Sequence, residues 1–388
     1  MTTDLIISFF KWLIILVGIS YVLMILGFIA GWLRLKVFNK IVNPFSTFVS
    51  IIIPARNEED TILQCIKDIE KQDFPKELVE VIVVNDNSTD GTSQNVKEYI
   101  KGISTLPHVD TKIIDLIEDE NTNAFKKKAI LKGIQQAKGE LIITTDADCR
   151  MNNLWLPTLV SYYEQYHPKF ISAPVSNHEE KNWFGKFQTL EFLGLIGIGA
   201  GGIKNAVPTM CNGANIAYTK EVFFEVNGFD DISNLASGDD TFLMLKIAKK
   251  YKEEIHFIKS FDAIVYTTPK DTFSEFVEQR KRWASKGTKY NSKKVILIGA
   301  LTYLFNFLIL ASGVFSIFYN TFVFVFMTVF IAKITVEFIF LYLITSFFKR
   351  RELLLYFFQE QLLYIFYVVW IGAEGSFSKY TWKGRAVK

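Results

Sequence analysis

Cysteine and histidine are scarce, with three and four among 388 residues. Cys65, Cys149 and Cys211 are far apart and odd in number, with no Cys-x-x-Cys pair to suggest zinc, so they read as reduced thiols of a cytoplasmic domain. His108, His167, His178 and His256 show no HxxxH or HExxH spacing, which removes the common metalloenzyme pattern. Charge of one sign is also lacking. The net value is +3, and the lysines and arginines beside apolar segments account for it, so the expected partners do not include nucleic acid.

Long apolar runs are missing from the middle of the chain and gathered at its two ends. Residues 5–33 form one run interrupted by Lys11, enough to cross a hydrocarbon core that needs roughly 20 helical residues. A cleavable signal peptide is the competing reading. The run exceeds the roughly 7 to 15 apolar residues of such a segment, and Ile29-Ala30-Gly31-Trp32 is a poor cleavage site, which favours an uncleaved anchor. Residues 295–319 and 321–348 are two further spans, the second carrying Lys333 and Glu337 one turn apart, where pairing would lower the cost of burying either. Residues 353–372 contain Gln359-Glu360-Gln361 and read as a crossing, an interfacial or a re-entrant helix. Arg34, Lys36 and Lys40, then Lys286, Lys289, Lys293 and Lys294, then Lys349, Arg350 and Arg351 fall on one side if each clear span crosses once, making that side cytoplasmic. The basic tail, with Lys379, Lys383, Arg385 and Lys388, lies inside or outside according to what the last segment does.

Between the ends, residues 48–283 alternate β-branched runs with polar helical stretches, the pattern of an α/β domain with a largely parallel sheet. The expected organisation is an anchor over 1–40, a catalytic domain over 45–290 with interfacial helices near 183–203 and 272–290, membrane or re-entrant helices over 294–375, and a tail over 376–388. Apolar runs stop at Pro54, at Asn85-Asp86 and at Asp146. Ligands of open α/β sheets bind outside the carboxyl ends of the strands, so Ala55, Arg56, Asn57, Glu58, Asp86 and Asp146 to Asp148 are delivered to one crevice.

An Asp-x-Asp pair at a strand end, Asp146-Ala147-Asp148, offers oxygen ligands to a divalent cation, Mg or Mn, that can in turn bind a nucleotide diphosphate. Arg56, Asn57, Glu58, Asp86 and Lys126 supply further polar groups, each of which alone would pass for a surface residue. The segment Asp86 to Thr92 also reads as helix capping. Gly238-Asp239-Asp240 precedes a helical run whose positive end stabilises carboxylates, making Asp240 the candidate base, with an ordinary N-terminal cap as the alternative. Gln279, Arg282 and Trp283 share a helical segment with Phe273, Phe276 and Val277. Arg282 can neutralise a leaving diphosphate and Trp283 can face a sugar, and the same helix can lie on a membrane surface. Gly197-Ile198-Gly199-Ala200-Gly201-Gly202 matches GxGxxG but follows a helix-like stretch, so it reads as a small-residue helix and not as a dinucleotide loop.

Taken in order, these motifs resemble the membrane-bound family 2 glycosyltransferases of the GT-A fold, the group that includes ceramide glucosyltransferase and the hyaluronan, poly-N-acetylglucosamine and cellulose synthases. Pro54 to Glu59 resembles the opening strand-end motif, Asn85 to Thr92 the second nucleotide-contacting loop, and Asp146-Ala147-Asp148 the metal motif. Cys211-Asn212-Gly213-Ala214-Asn215 with Gly228-Phe229-Asp230 is similar to the donor-sugar wall, Asp240 stands where the family has its general base, and Gln279, Arg282 and Trp283 reproduce QxxRW. Phe125-Lys126-Lys127 departs from the family's Gly-Lys, although Lys126 matches by spacing. The resemblance implies nucleotide contacts at Ala55, Arg56, Glu58, Asp86, Lys126 and Asp146, metal at Asp146 and Asp148, and sugar or acceptor contacts at Asn212, Gly213, Asn215, Asp239, Gln279, Arg282 and Trp283. It implies inverting transfer from a nucleotide-diphosphate sugar, UDP-linked by expectation, to a lipid or lipid-linked acceptor at the bilayer. A processive polysaccharide synthase is the alternative, and a nucleotide-sensing transporter or receptor a remote one.

Overall fold

Strands buried on both faces need continuous β-branched runs, because neither face meets water. Residues 49–55 and 79–85 supply such runs, and the computed structural model forms from them two adjacent inner strands of a seven-stranded sheet. It describes residues 2–41, 44–103, 108–117, 124–232, 238–286, 289–290, 292–375, 380–382 and 385–387. The chain forms two bodies, one of Leu35–Glu180, Gly202–Pro269 and Lys379–Lys388, the other of Met1–Arg34, Lys181–Gly201 and Lys270–Ser378. The helices in chain order are α1 (Thr2–Arg34), α2 (Ile62–Glu70), α3 (Thr92–Ile103), α4 (Phe125–Gln136), α5 (Trp155–Tyr166), α6 (Trp183–Lys204), α7 (Lys220–Glu225), α8 (Asp239–Lys250), α9 (Phe273–Ala284), α10 (Lys293–Phe318), α11 (Asn320–Phe347) and α12 (Phe357–Gly375).

The first body is the α/β domain. Its strands are β1 (Val49–Ala55), β2 (Val79–Asn85), β3 (Asp110–Asp115), β4 (Leu141–Thr144), β5 (Arg150–Met151), β6 (Phe170–Ser172), β7 (Val175–Asn177), β8 (Ile216–Thr219), β9 (Ile255–Phe257) and β10 (Val265–Thr267). The main sheet runs β3-β2-β1-β4-β8-β6-β9. Strands β3, β2, β1 and β4 are parallel, and β8 runs against both β4 and β6. A small sheet, β5-β10-β7, joins the segment after β4 to the one after β6. Two boundaries differ from expectation. Pro54 lies inside β1 instead of ending it, and α8 begins at Asp239, so Asp239 and Asp240 sit in its first turn. The residue before the helix is Gly238, whose φ of 87° is open to glycine and strained for other residues. In the tail, Tyr380–Trp382 pairs with Arg385–Val387, and Lys379, Lys383 and Lys388 lie outside the described residues.

The second body is helical. Among the described residues four helical segments, Leu5–Arg34, Lys293–Phe318, Asn320–Phe347 and Arg351–Glu374, are long and apolar enough to cross a membrane. The last begins as a 3-10 turn over Arg351–Tyr356 before α12. The glycines of GxGxxG lie within α6. A Cβ on Gly197 would meet Ile344 at 2.6 Å and one on Gly201 the Phe28 carbonyl oxygen at 2.4 Å, so both permit close helix packing. Lys333 and Glu337 pair at 2.8 Å, Lys333 also donates to Gln361, and Tyr21 donates to the second Glu337 oxygen. Removing one buried partner leaves an uncompensated charge, so Lys333→Met is expected to cost about 3–5 kcal/mol, most of it recovered in Lys333→Met/Glu337→Leu. Thermal unfolding in detergent checks this, and equal melting of the single and double variants would contradict it.

Candidate active site

Strand ends β1 and β2 are stitched together. Arg56 Nη1 donates to the Asp86 and Asn87 carbonyl oxygens at 2.8 and 2.7 Å, and the Asp86 N–H donates to the Ala55 oxygen at 2.8 Å. The Glu58 N–H donates to Thr92 Oγ1 at 2.8 Å. Asn57 and Asn87 have positive φ, 51° and 50°, which turn the two loops at adjacent strand ends. Within the second loop, capping belongs to Asp90, which accepts from the N–H and hydroxyl of Thr92. Asp86 is a different case, a nearly buried carboxylate at the end of β2. Glu58 accepts from the Thr61 hydroxyl at 2.9 Å, so one of its oxygens braces the turn into α2.

The acidic cluster forms at the end of β4. Lys126, at the start of α4, bonds Asp146 Oδ1 at 2.6 Å and lies 3.7 Å from Asp239 Oδ2. Burial alone would lower the Lys126 pKa, but Asp146 and Asp239 outweigh it and hold the ammonium above its ordinary value. The departure from Gly-Lys therefore does not displace Lys126 from the Asp-x-Asp loop. Asp148 Oδ2 accepts from the Thr267 hydroxyl at 3.1 Å, a partner on β10 that sequence reading missed. Beneath the loop, Cys65 and Cys149 are buried free thiols, and burial raises the pKa of both.

Gly213 connects this cluster to α8. Its N–H donates to Asp240 Oδ2 at 3.0 Å, and its carbonyl oxygen accepts from Thr144 at 2.9 Å. A Cβ there would lie 3.2 Å from Asp239 Oδ2, 3.4 Å from Asp240 Cβ and 3.6 Å from Lys126 Nζ. Asp240 Oδ1 accepts from the Thr241 N–H, so the carboxylate is oriented by both oxygens while each keeps lone-pair capacity. Asn212 accepts from the Ala214 N–H and shapes this turn. Asn215 is placed otherwise than expected. Its side chain is 0% exposed, accepts from Trp155 Nε1 and donates to the Pro174 and Ala263 oxygens, so it braces the wall from inside and presents no amide to a sugar.

The structure thus brings Asp146, Asp148, Lys126, Gly213, Asp239 and Asp240 together beside the joined β1 and β2 loops. Among the described residues no group of three or more His, Cys, Asp and Glu side chains could hold a metal. Asp146 and Asp148 still fit a divalent ion, because an ion of the Mg type takes one or two carboxylates and completes its shell with substrate phosphates and water. Three carboxylates, those of Asp146, Asp239 and Asp240, act on the Lys126 ammonium and leave the negative surplus that such an ion neutralises.

Gln279, Arg282 and Trp283 lie on α9, in the helical body. The helix opens with a capping box, Thr272 accepting from the Glu275 N–H and Glu275 from the Thr272 N–H. Gln279 Oε1 accepts from Arg280, and the Trp283 ring stacks near Phe192 at 6.3 Å between centroids. Arg280, absent from the expected set, is the buried residue of the motif, with Glu191 as its partner. The signal was present in outline, since Glu191 is the single acid of the apolar α6.

Two family models match this chain. Residues 50–225 match the glycosyl transferase family 2 model and residues 141–370 the glycosyl transferase family group 2 model. The probable glycosyltransferase YdaM of Bacillus subtilis is 28% identical over 247 residues, 62% of this chain and 55% of the relative. Glycosyltransferase AglE of Haloferax volcanii is 33% identical over 114 residues, 29% of this chain and 34% of the relative. The chain therefore spans about half or less of the length of these relatives. Among solved structures, the mannosyltransferase PcManGT of Pyrobaculum calidifontis, in complex with GDP-Man and Mn2+, shares the fold with a TM-score of 0.61 at 18% identity, over 95% of this chain and 98% of that one.

Proposed function

The chain belongs to the family 2 glycosyltransferases, with their GT-A fold, and from that premise we propose that it moves a sugar from a nucleotide-diphosphate sugar, with inversion, to a hydroxyl of a membrane lipid or lipid-linked acceptor. Asp240 carries the reading, because its carboxylate is aimed by Gly213 and Thr241 and stands with the Asp146–Lys126–Asp239 cluster. The acceptor O–H gives its proton to Asp240, and its oxygen bonds to the anomeric carbon. The bond from that carbon to the diphosphate oxygen breaks, and the electron pair leaves with the nucleoside diphosphate. A divalent cation held by Asp146 and Asp148 would supply charge neutralisation at the diphosphate. Lys126 adds a fixed positive charge there and Arg56 holds the β1 and β2 loops in register for the nucleotide, while for Arg282 it is the QxxRW motif that implies a role at the departing phosphate.

Four helices among the described residues, each able to cross a membrane, support an acceptor that arrives from the bilayer, and the basic residues beside three of them support a catalytic domain on the cytoplasmic face. Labelled UDP- and GDP-sugars incubated with membrane lipid extract test the assignment, with Asp240→Asn as the blank. One added sugar on a lipid is the expected product. A ladder of oligomers would replace the lipid reading with that of a polymer synthase, and donor binding without turnover would defeat both. Because a Cβ at Gly213 presses on the Asp239 carboxylate beside Asp240, Gly213→Ala is expected to lower kcat roughly tenfold by shifting the acidic cluster a few tenths of an ångström. Steady-state rates with unchanged thermal melting check it.

A further inference from the structure

Within the helical body a buried polar knot holds α9. Glu191 is 3% and Arg280 6% exposed in their side chains. Arg280 Nε donates to the two Glu191 oxygens at 3.2 and 3.1 Å, and Nη2 donates to Oε2. Tyr367, on α12, donates its hydroxyl to Glu191 Oε1. The remaining arm of the guanidinium, Nη1, donates to Gln279 Oε1, and the Arg280 Cζ lies 4.3 Å from the ring centroids of both Phe276 and Trp283. Two of the three QxxRW residues, Gln279 and Trp283, are thus held directly by Arg280. The third, Arg282, is two residues further on, about 200° around the helix, so anchoring Arg280 inward turns Arg282 to the other side.

We propose that Glu191 and Tyr367 are positioning residues for transfer: by fixing Arg280 they set the rotation of α9, the amide orientation of Gln279 and the plane of the Trp283 ring. The inference rests on the reading that the α9 motif serves the transfer. Stability alone does not account for the knot, because apolar residues of similar volume commonly stabilise as well as a buried ion pair does. A bidentate carboxylate–guanidinium pair adds fixed geometry, which apolar packing does not. Tyr367 is itself held in place, since α12 is pinned on one side by Gln361 to Lys333 and on the other by the Lys281–Glu374 pair at 2.6 Å.

The test uses the full-length protein in detergent or vesicles. Glu191→Leu/Arg280→Met removes both charges without stranding either. It is expected to melt near wild type and to keep the donor KM, while kcat for transfer falls at least about tenfold. Tyr367→Phe removes a single hydroxyl and is expected to lower kcat about threefold to tenfold at unchanged melting and donor KM, with Glu191→Asp retaining more turnover than Glu191→Gln. Wild-type kcat in a folded double variant would overturn the proposal. If the double variant does not fold, Tyr367→Phe decides, and wild-type turnover there overturns it as well. Arg282→Ala separates the two levels. If Arg282→Ala is inactive while Glu191 and Tyr367 variants are normal, only the positioning role fails, whereas full activity of Arg282→Ala defeats the motif reading itself.

Discussion

Asp240→Asn is expected to lower kcat by about 10² to 10⁴-fold, the usual worth of a general base, while the donor KM stays close to wild type. The substitution is nearly isosteric. The Gly213 and Thr241 N–H groups donate to different Asp240 oxygens, so the amide oxygen keeps one of the two bonds and the NH2 group, itself a donor, loses the other. What disappears is the lone pair able to take the acceptor proton, together with one negative charge. Single-turnover rates with bound donor isolate the chemical step from binding. A variant turning over at half the wild-type rate would remove Asp240 from the role.

The second large effect concerns the donor end. Chelation of divalent cations is expected to abolish transfer, and Asp146→Asn to lower kcat/KM by about 10² to 10³-fold, the range found when a preorganised electrostatic contact is removed. Two losses combine in that variant, since Asp146 is both a candidate cation ligand and the closest partner of Lys126. Lys126 retains Asp239 at 3.7 Å, so it is not left without a carboxylate. Titrating Mn2+ should recover part of the Asp146→Asn deficit, because weakened affinity is overcome by mass action. Full activity in excess chelator would refute the metal role.

Much of this molecule is readable along the chain for local reasons. Residues 49–55 and 79–85 are short β-branched runs bounded by turn-forming residues, too short for the helices that longer apolar runs form, and the polar groups that follow therefore fall at strand ends. The GxGxxG run is packing glycine and not a nucleotide loop, as its helical context indicated. The pairing of Lys333 with Glu337 follows from one-turn spacing. Asn215 departs from the sugar contact that its motif context implies, because its burial depends on Trp155, Pro174 and Ala263, which no spacing announces.

The sequence by itself determined the class of the α/β domain, the order of its polar motifs and the apolar helices, since each depends on periodicity over a dozen or so neighbouring residues. Only the tertiary structure decided which charges meet. Lys126 reaches Asp146 and Asp239, Thr267 holds Asp148, and Arg280 is enclosed by Glu191 and Tyr367. The bonded residues of these groups lie between 20 and 176 residues apart along the chain. Hydrogen bonds and ion pairs act over a few ångströms of space, and such proximity is created by the packing of strands and helices rather than by any local pattern.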